Sequence, residues 1–404
     1  MTRRPPWILP AIIFSQFAGT AIWFSGNAVL GAILRSWSSP SPMTGWVTSA
    51  VQLGFIAGTL LFAFFAVSDR FSPRWVFLVC AVVGALANLI TVPAGSSPTG
   101  LLTLRFITGF FLAGIYPVGM KIAAGWYEKG LGNALGFLIG ALVLGTAFPH
   151  LLKAGLSTVS WQAVIALSSG ICLLGGIIMT VLVPDGPHLV KSRRFHPREV
   201  ATLLRGPSLR AAALGYFGHM WELYALWAFV PLFLRGYAAN AAGFSLNVSL
   251  WSFLIIGIGS LGCIAGGLIS RRAGSAAVAC FQLSVSGICC VLSPLFYRTA
   301  PVLFLTLMLL WGMAVVGDSP QFSTIVAHTA PPELVGSALT LVNCIGFSIT
   351  VVSLSLMQWV SVRMNPQYLF IFLAAGPAAG LAGMAPLLKE KASKGNRAQE
   401  PRIQ

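Results

Sequence analysis

Charge is scarce in this chain of 404 residues. Asp, Glu, Lys and Arg together make up 8% of it, whereas a soluble domain carries about 25%. So few charges cannot cover a water-exposed surface, which excludes a soluble globular protein. The mean hydropathy is +0.84, and apolar runs of about 20 residues recur, the length that spans ~30 Å of hydrocarbon as a helix. The sequence therefore predicts a polytopic membrane protein.

The sequence also lacks the motifs of catalytic chemistry. It has no phosphate-binding glycine loop, no His/Cys cluster with metal-ligand spacing and no serine motif in a suitable strand context. Its seven cysteines all lie in apolar segments and are predicted to be small packing residues. We therefore predict that the protein is not an enzyme and has no cofactor and no metal site. We therefore expect any active transport to be driven by an ion or solute gradient across the membrane.

Twelve apolar segments are long enough to cross a membrane. They are 7–34, 44–68, 75–95, 100–126, 133–155, 161–184, 208–234, 246–270, 275–297, 301–327, 336–361 and 367–388. The first is predicted to be an uncleaved helix, because its apolar run is longer than that of a signal peptide. The prediction is an all-α membrane protein with twelve transmembrane helices.

The distribution of basic residues indicates how the chain is oriented in the membrane. With the N-terminus inside, 19 of the 25 Lys and Arg residues fall on the cytoplasmic side and 6 on the other, as the positive-inside rule requires. We predict a multi-pass protein of the inner or plasma membrane with both termini cytoplasmic and with lipid contacts at that surface. A nucleic-acid partner is not predicted, because no recognition motif accompanies the charge.

The longest polar stretch divides the chain in two. It reads DGPHLVKSRRFHPREVATLLRGPS and follows the sixth apolar segment. We predict an N-terminal six-helix bundle over 1–184, a cytoplasmic linker over 185–207, and a C-terminal six-helix bundle with a basic cytoplasmic tail over 208–404.

A glycine and proline pattern occurs in both halves. Gly109, Gly114 and Pro117 recur 203 residues later as Gly312, Gly317 and Pro320. Glycine lets helix backbones approach and slide, and proline kinks a helix. Matched elements of this kind predict two pseudo-symmetric bundles with a substrate site at their interface, near the middle of the bilayer.

Three local patterns resemble those of the major facilitator superfamily, and the likeness extends over essentially the whole chain. SDRFSPR resembles the loop after helix two, GGLISRRAGS the same loop after helix eight, and RFITGFFLAG the helix-four pattern that begins with arginine. Within the superfamily the chain is broadly similar to bacterial nitrate/cyanate-type porters. The resemblance implies the major facilitator fold and alternating access, and we expect a monomer.

The same resemblance implies a cytoplasmic gate at the loop that contains Asp69. A carboxylate at the end of helix two can pair with nearby arginines. The predicted gate residues are Asp69, Arg70, Arg74 and Arg272. The alternative is that these are solvated loop charges.

Ionisable side chains inside a bilayer are expensive and are candidates for function. Of nine acidic residues, only Glu222 and Asp318 fall well inside apolar segments. Tyr216, His219 and Glu222 are spaced by three and share a helix face, an arrangement that suits a proton carrier or a structural hydrogen-bonded pair. Asp318 could bind a proton, a cationic substrate or the arginine of another helix.

Other polar and aromatic residues are predicted to line a cavity. Arg105 could bind an anion in a bidentate fork, pair with Glu222 or Asp318, or extend to the outer surface, and Tyr116 continues its face. Gln16, Trp23 and Asn27 lie on one face of the first helix, where Trp23 has core packing as its alternative. His150 is a weaker candidate.

The sequence thus predicts a secondary active transporter of a small organic or inorganic anion, coupled to protons through Glu222, Asp318 and His219, with Arg105 as the countercharge of the substrate. The partners are that small molecule, protons and lipid. A proton-driven exporter of amphiphilic cations and a metal-chelate transporter remain alternatives. A transporter-like sensor or assembly protein without flux is an alternative of another class.

Overall fold

The computed structural model describes residues 5–37, 42–94, 97–127, 131–155, 160–189, 202, 204–241, 244–331 and 334–399. Within these ranges the chain is helical and has no strand. The first six long helices are α1 (Ile8–Thr20 and Ser25–Ser36), α2 (Thr44–Phe64), α3 (Pro73–Ala94), α4 (Pro98–Leu112 and Tyr116–Trp126), α5 (Leu131–Gly155) and α6 (Trp161–Leu182). A short helix, Val67–Arg70, connects α2 to α3.

The second six helices follow in the same manner. They are α7 (Pro207–Asn240), α8 (Val248–Gly257 and Gly259–Ala273), α9 (Ser275–Phe296), α10 (Pro301–Gly317 and Ser319–Thr329), α11 (Val335–Ser361) and α12, which begins as a 3₁₀ helix (Pro366–Ala374) and continues as Ala375–Gln399. Because the number of helices is even, α1 begins and α12 ends at the same end of the bundle. We call this the terminal end and the opposite one the distal end. Sequence charge predicts that the terminal end is cytoplasmic.

Eleven of the twelve helices in the described part of the chain are long and apolar enough to cross a membrane. The other, α7, has 34 residues, and His219 and Glu222 lower its hydropathy. Burial is inverted relative to a soluble protein. Phe281 and Val302 are 70% and 79% exposed, whereas Arg105 is 0% exposed. Such a surface suits lipid, and the predicted all-α membrane fold is confirmed.

The two sets of six helices pack with the same neighbours. In the first set α1 contacts α5 and α6, and α2 contacts α4; in the second α7 contacts α11 and α12, and α8 contacts α10. The sets meet where α2 contacts α11 and α5 contacts α8. The linker over 185–207 stays a prediction, because 190–201 and 203 lie outside the described residues.

The repeated glycines occupy equivalent positions. A side chain at Gly109 on α4 would overlap the backbone carbonyl of Val51 on α2, and one at Gly312 on α10 would overlap that of Ile255 on α8. Each glycine therefore allows two helix backbones to touch.

The helix interruptions are repeated as well. Helix α4 breaks between Leu112 and Tyr116, next to Gly114, and α10 breaks at Asp318, next to Gly317. A proline follows each break within the first two positions of the next segment, where its missing N–H is tolerated. The second break places an acidic side chain in the middle of a membrane-spanning helix.

Candidate substrate and proton sites

Arg105 lies in a cage of neutral groups within the first six helices. Its guanidinium donates to Asn88 Oδ1 of α3, to Ser25 Oγ of α1 at 3.2 Å, to Thr91 Oγ1 at 3.3 Å and to the Ile22 carbonyl at 3.4 Å. The side chain is fully buried. Its described hydrogen-bond partners carry no charge, so the arginine joins α1, α3 and α4 through hydrogen bonds alone.

Asn88 fixes this cage to α6. Its amide nitrogen donates to Ser169 Oγ at 2.8 Å and to the Ile165 carbonyl at 3.3 Å. The backbone of Gly26 lies against the arginine, and a β-carbon there would be 3.0 Å from Arg105 Cδ. The structure thus places Arg105 among contacts that join helices of the first half, whereas Glu222 and Asp318 belong to the second half.

Glu222 occupies a comparable place in the second six helices. Its Oε1 accepts hydrogen bonds from Ser286 Oγ, from Trp311 Nε1 at 2.9 Å and from Cys290 Sγ at 3.3 Å. These contacts join α7, α9 and α10, which correspond to α1, α3 and α4 of the first set. Glu222 and Arg105 thus occupy equivalent places: each is buried, and its hydrogen bonds join the first, third and fourth helices of its half, one being an acid and the other a cation.

His219 pairs with Asp318. The distance between His219 Nδ1 and Asp318 Oδ1 is 2.8 Å, and each side chain is 1% exposed. The imidazole also packs against the rings of Tyr216 and Phe322, with centroids 5.8 and 5.9 Å away. Although His219 and Glu222 share a helix face, the carboxyl group that pairs with the histidine comes from α10. The pair connects α7 to the point at which α10 is interrupted.

A central aromatic cluster joins the two halves. It consists of Trp23, Phe24, Phe55, Tyr224, Trp227 and Phe347. The rings of Phe55 on α2 and Phe347 on α11 are 4.5 Å apart, and Trp23 stacks on Tyr224 of α7 at 5.7 Å. Trp23 is fully buried. The half-buried Tyr116 stacks on Phe55 at 6.4 Å, at the edge of the cluster.

Residues of the predicted polar face of α1 lie on both sides of this cluster along the helix. Gln16 is fully buried, has no hydrogen-bond partner among the described residues and packs against Gly119. Asn27, on the distal side, donates to Thr48 Oγ1 at 2.6 Å, and its Oδ1 has no described partner. Only Asn27 of the face lines the cavity found at the distal end.

That cavity, the distal cavity, has a volume of about 640 Å³ and lies between the two halves. Its charged lining residues are Arg35 of α1, Lys153 of α5 and Arg235 of α7, and its lining includes the polar residues Asn27, His150, Asn247 and Ser252. The described lining contains no acidic residue. In the sequence, these three cations served only as evidence for the orientation of the chain in the membrane. The signal that could have found them is their position at distal helix ends that have no acid nearby.

Of the predicted gate residues, Asp69, Arg70 and Arg74 lie where α2 connects to α3, and Arg272 lies near the end of α8. Asp69 Oδ1 accepts a hydrogen bond from Lys121 Nζ of α4 at 2.6 Å, whereas the sequence predicted arginines as the partners of this carboxylate. Arg74 donates to the Thr180 carbonyl of α6 at 3.5 Å. Arg70 and Arg272 are exposed. The gate stays a prediction.

Similar proteins support the assignment of the fold. Two solved structures superpose on nearly the whole chain. The human organic anion transporter MFSD10 (TETRAN) does so with a TM-score of 0.74 and 16% identity, covering 94% of this chain and 100% of that one. A mutant of the nucleoside transporter NupG does so with a TM-score of 0.70 and 14% identity, covering 94% of this chain and 99% of that one.

One curated relative is the probable sulfoacetate transporter SauU of Cupriavidus necator. It is 24% identical over 251 residues, which cover 56% of this chain and 56% of that protein. The match thus spans little more than half the length of the relative. The family model described as Major Facilitator Superfamily matches residues 12–354. The chain therefore belongs to the major facilitator superfamily of membrane transporters.

Proposed function

We propose that the protein moves a small organic or inorganic anion across the membrane by proton-coupled alternating access. The observation that carries the proposal is the distal cavity, which has three cationic side chains and no acid among its described lining residues. A concave surface of one charge sign concentrates ions of the opposite sign. The cavity is therefore suited to an anion and unsuited to a cation.

The buried acids support the proton coupling. Ionisable groups in the middle of a bilayer are costly to keep without a role, and the His219–Asp318 pair and Glu222 are buried there. Helix α7 carries both His219 and Arg235, which are 16 residues apart, or about 24 Å along the axis. A movement of α7 could transmit a change at the proton site to the cavity, past the central aromatic cluster.

Two of the similar proteins are named for anions, a sulfoacetate transporter and an organic anion transporter. Both likenesses are distant, so they guide the choice of a probe. Sulfoacetate is a small molecule with one carboxylate and one sulfonate, and its size is compatible with a cavity of about 640 Å³.

We expect proteoliposomes containing the protein to accumulate radiolabelled sulfoacetate, or another small anion of a panel with nitrate and malonate, when the outside is more acidic than the lumen. A protonophore should abolish accumulation, and protein-free liposomes should show none. Gradient-driven movement of a bulky cation instead would favour the exporter. Absence of any gradient-driven flux would favour the sensor and contradict the proposal.

A further inference from the structure

We propose that the distal cavity binds a small dianion, a dicarboxylate or a sulfocarboxylate, between Lys153 of the first half and Arg235 of the second. This inference rests on the proposed function and names the residues that would hold the substrate. It differs from the sequence prediction, in which Arg105 is the countercharge. Arg105 is enclosed by neutral hydrogen-bond partners within one half, whereas Lys153 and Arg235 face a common space.

The three cations of the cavity repel one another. Lys153 has repulsive Coulombic interactions with Arg235 and with Arg35, and Arg235 has one with Arg35. Like charges held together in a partly buried space cost free energy unless an opposite charge is near. The cavity is thus electrostatically incomplete without a bound anion.

The chain itself supplies no carboxylate to balance them. The sequence contains nine acidic residues, and none lies in the connections at the distal end, which are 36–43, 95–97, 156–160, 241–247, 297–300 and 362–365. This holds for the stretches outside the described residues too, because their sequence is known. A countercharge therefore has to come from another molecule.

Two polar atoms of the cavity lining are available to a ligand. His150 is 2% exposed, yet its Nε2 has no hydrogen-bond partner among the described residues, and the same is true of Asn27 Oδ1. A buried polar atom is costly to leave without a partner, and a ligand in the cavity would supply one. His150 lies three residues before Lys153 on α5, so both can contact the same ligand.

The depth of the charges suggests how a ligand is held. Arg35 and Arg235 are exposed at the mouth, Lys153 is half-buried, and His150 is buried. Lys153 Nζ donates one hydrogen bond to the Ala28 carbonyl at 2.8 Å, and its other two donors have no partner among the described residues. Arg235 has a planar fork that matches a carboxylate or sulfonate in two-point contact.

Two anchors on different halves favour a ligand with two anionic groups. A monoanion would leave the cavity strongly positive, whereas a dianion would cancel most of the repulsion and contact both halves. Such a ligand would draw α5 and α7 together, as closure of the cavity requires. The inferred class is a small molecule with two anionic groups separated by a short carbon chain.

The test is thermal stabilisation of the purified full-length protein by sulfoacetate, malonate and acetate at constant ionic strength. We expect sulfoacetate or malonate to bind the unaltered protein more tightly than acetate. Lys153→Gln and Arg235→Gln should each weaken the binding of the dianion about tenfold or more and reduce its preference over acetate. Arg298→Gln, which removes an exposed cation at the same end but outside the cavity lining, should leave binding unchanged.

The outcomes separate this inference from the proposed function. Both glutamine variants remove a repulsion, and Lys153→Gln also removes the hydrogen bond to the Ala28 carbonyl. A single cooperative melting transition of each ligand-free variant therefore serves as the test that it is folded. Dianion binding that is intact in both variants would overturn the inference while the transport proposal stands. Failure of every anion to stabilise the unaltered protein would contradict both. Equal affinity for acetate and the dianions would overturn the dianion class.

Discussion

Replacing Asp318 by asparagine is expected to abolish proton-driven accumulation of substrate while the protein stays folded. Asp318 lies at the break in α10, and its Oδ1 is 2.8 Å from His219 Nδ1. An amide of nearly the same shape cannot bind or release a proton, so it keeps the packing and loses the coupling. We expect exchange of labelled for unlabelled substrate to persist in proteoliposomes, because exchange needs no net proton movement.

Asp185→Asn is the matched control for this prediction. Asp185 is an exposed carboxylate that accepts a hydrogen bond from Ser72 at 2.8 Å, so the same chemical change there should leave accumulation intact. Glu222→Gln tests the second buried acid, whose oxygen accepts from Trp311. Normal accumulation in both Asp318→Asn and Glu222→Gln would contradict proton coupling through these residues.

Placing leucine at Gly109 or at Gly312 is expected to prevent stable folding. Each position lies against the backbone of a neighbouring helix, where a β-carbon already overlaps a carbonyl. Overpacking a core costs about 1–3 kcal/mol when side chains can adjust, and a backbone contact has less freedom to adjust. Since folded proteins are stable by about 5–15 kcal/mol, we expect a large fall in melting temperature or loss of monodisperse protein after extraction in detergent.

Gly170→Leu provides the control for the glycine prediction. Gly170 on α6 is exposed and has nothing within 4 Å of the position of its β-carbon, so leucine there should be tolerated. The two repeat-related substitutions should have similar effects, because Val51 and Ile255 are equivalent neighbours. A melting temperature unchanged by either Gly109→Leu or Gly312→Leu would contradict the close packing described for that helix pair.

The helices and the weak points in α4 and α10 could be predicted from sequence because the signals are local. The length of an apolar run determines whether it crosses a bilayer, and a glycine–proline pair weakens the helix that contains it. The repeated glycine–proline pattern thus predicted weak points in α4 and α10, and the structure has breaks next to Gly114 and Gly317. Only the exact ends of the segments depended on the surrounding packing.

The partners of the buried charges could not be predicted in the same way. Spacing along α7 shows that His219 and Glu222 share a face, but it does not show which helix lies opposite each. Asp318 is about a hundred residues away from His219 in sequence, and Arg105 could have met any of several polar groups. Choosing Asn88 for it requires knowing that α3 and α4 are adjacent and in which register.

The distal cavity was missed for a related reason. Lys153 and Arg235 lie at helix ends, where basic residues are common and usually reach water. Their significance arises from convergence: α1, α5 and α7 bring three cations to one cavity where the chain supplies no acid. That convergence is a property of the packing of the two halves.

The measurement that most directly tests the central claim is the lumenal pH of proteoliposomes when the anion is added outside with no imposed gradient. If anion and proton enter together, a trapped pH-sensitive dye should report acidification of the lumen on addition of sulfoacetate or malonate. The signal should be absent with Asp318→Asn. Entry of the labelled anion with no change in lumenal pH would contradict proton-coupled transport.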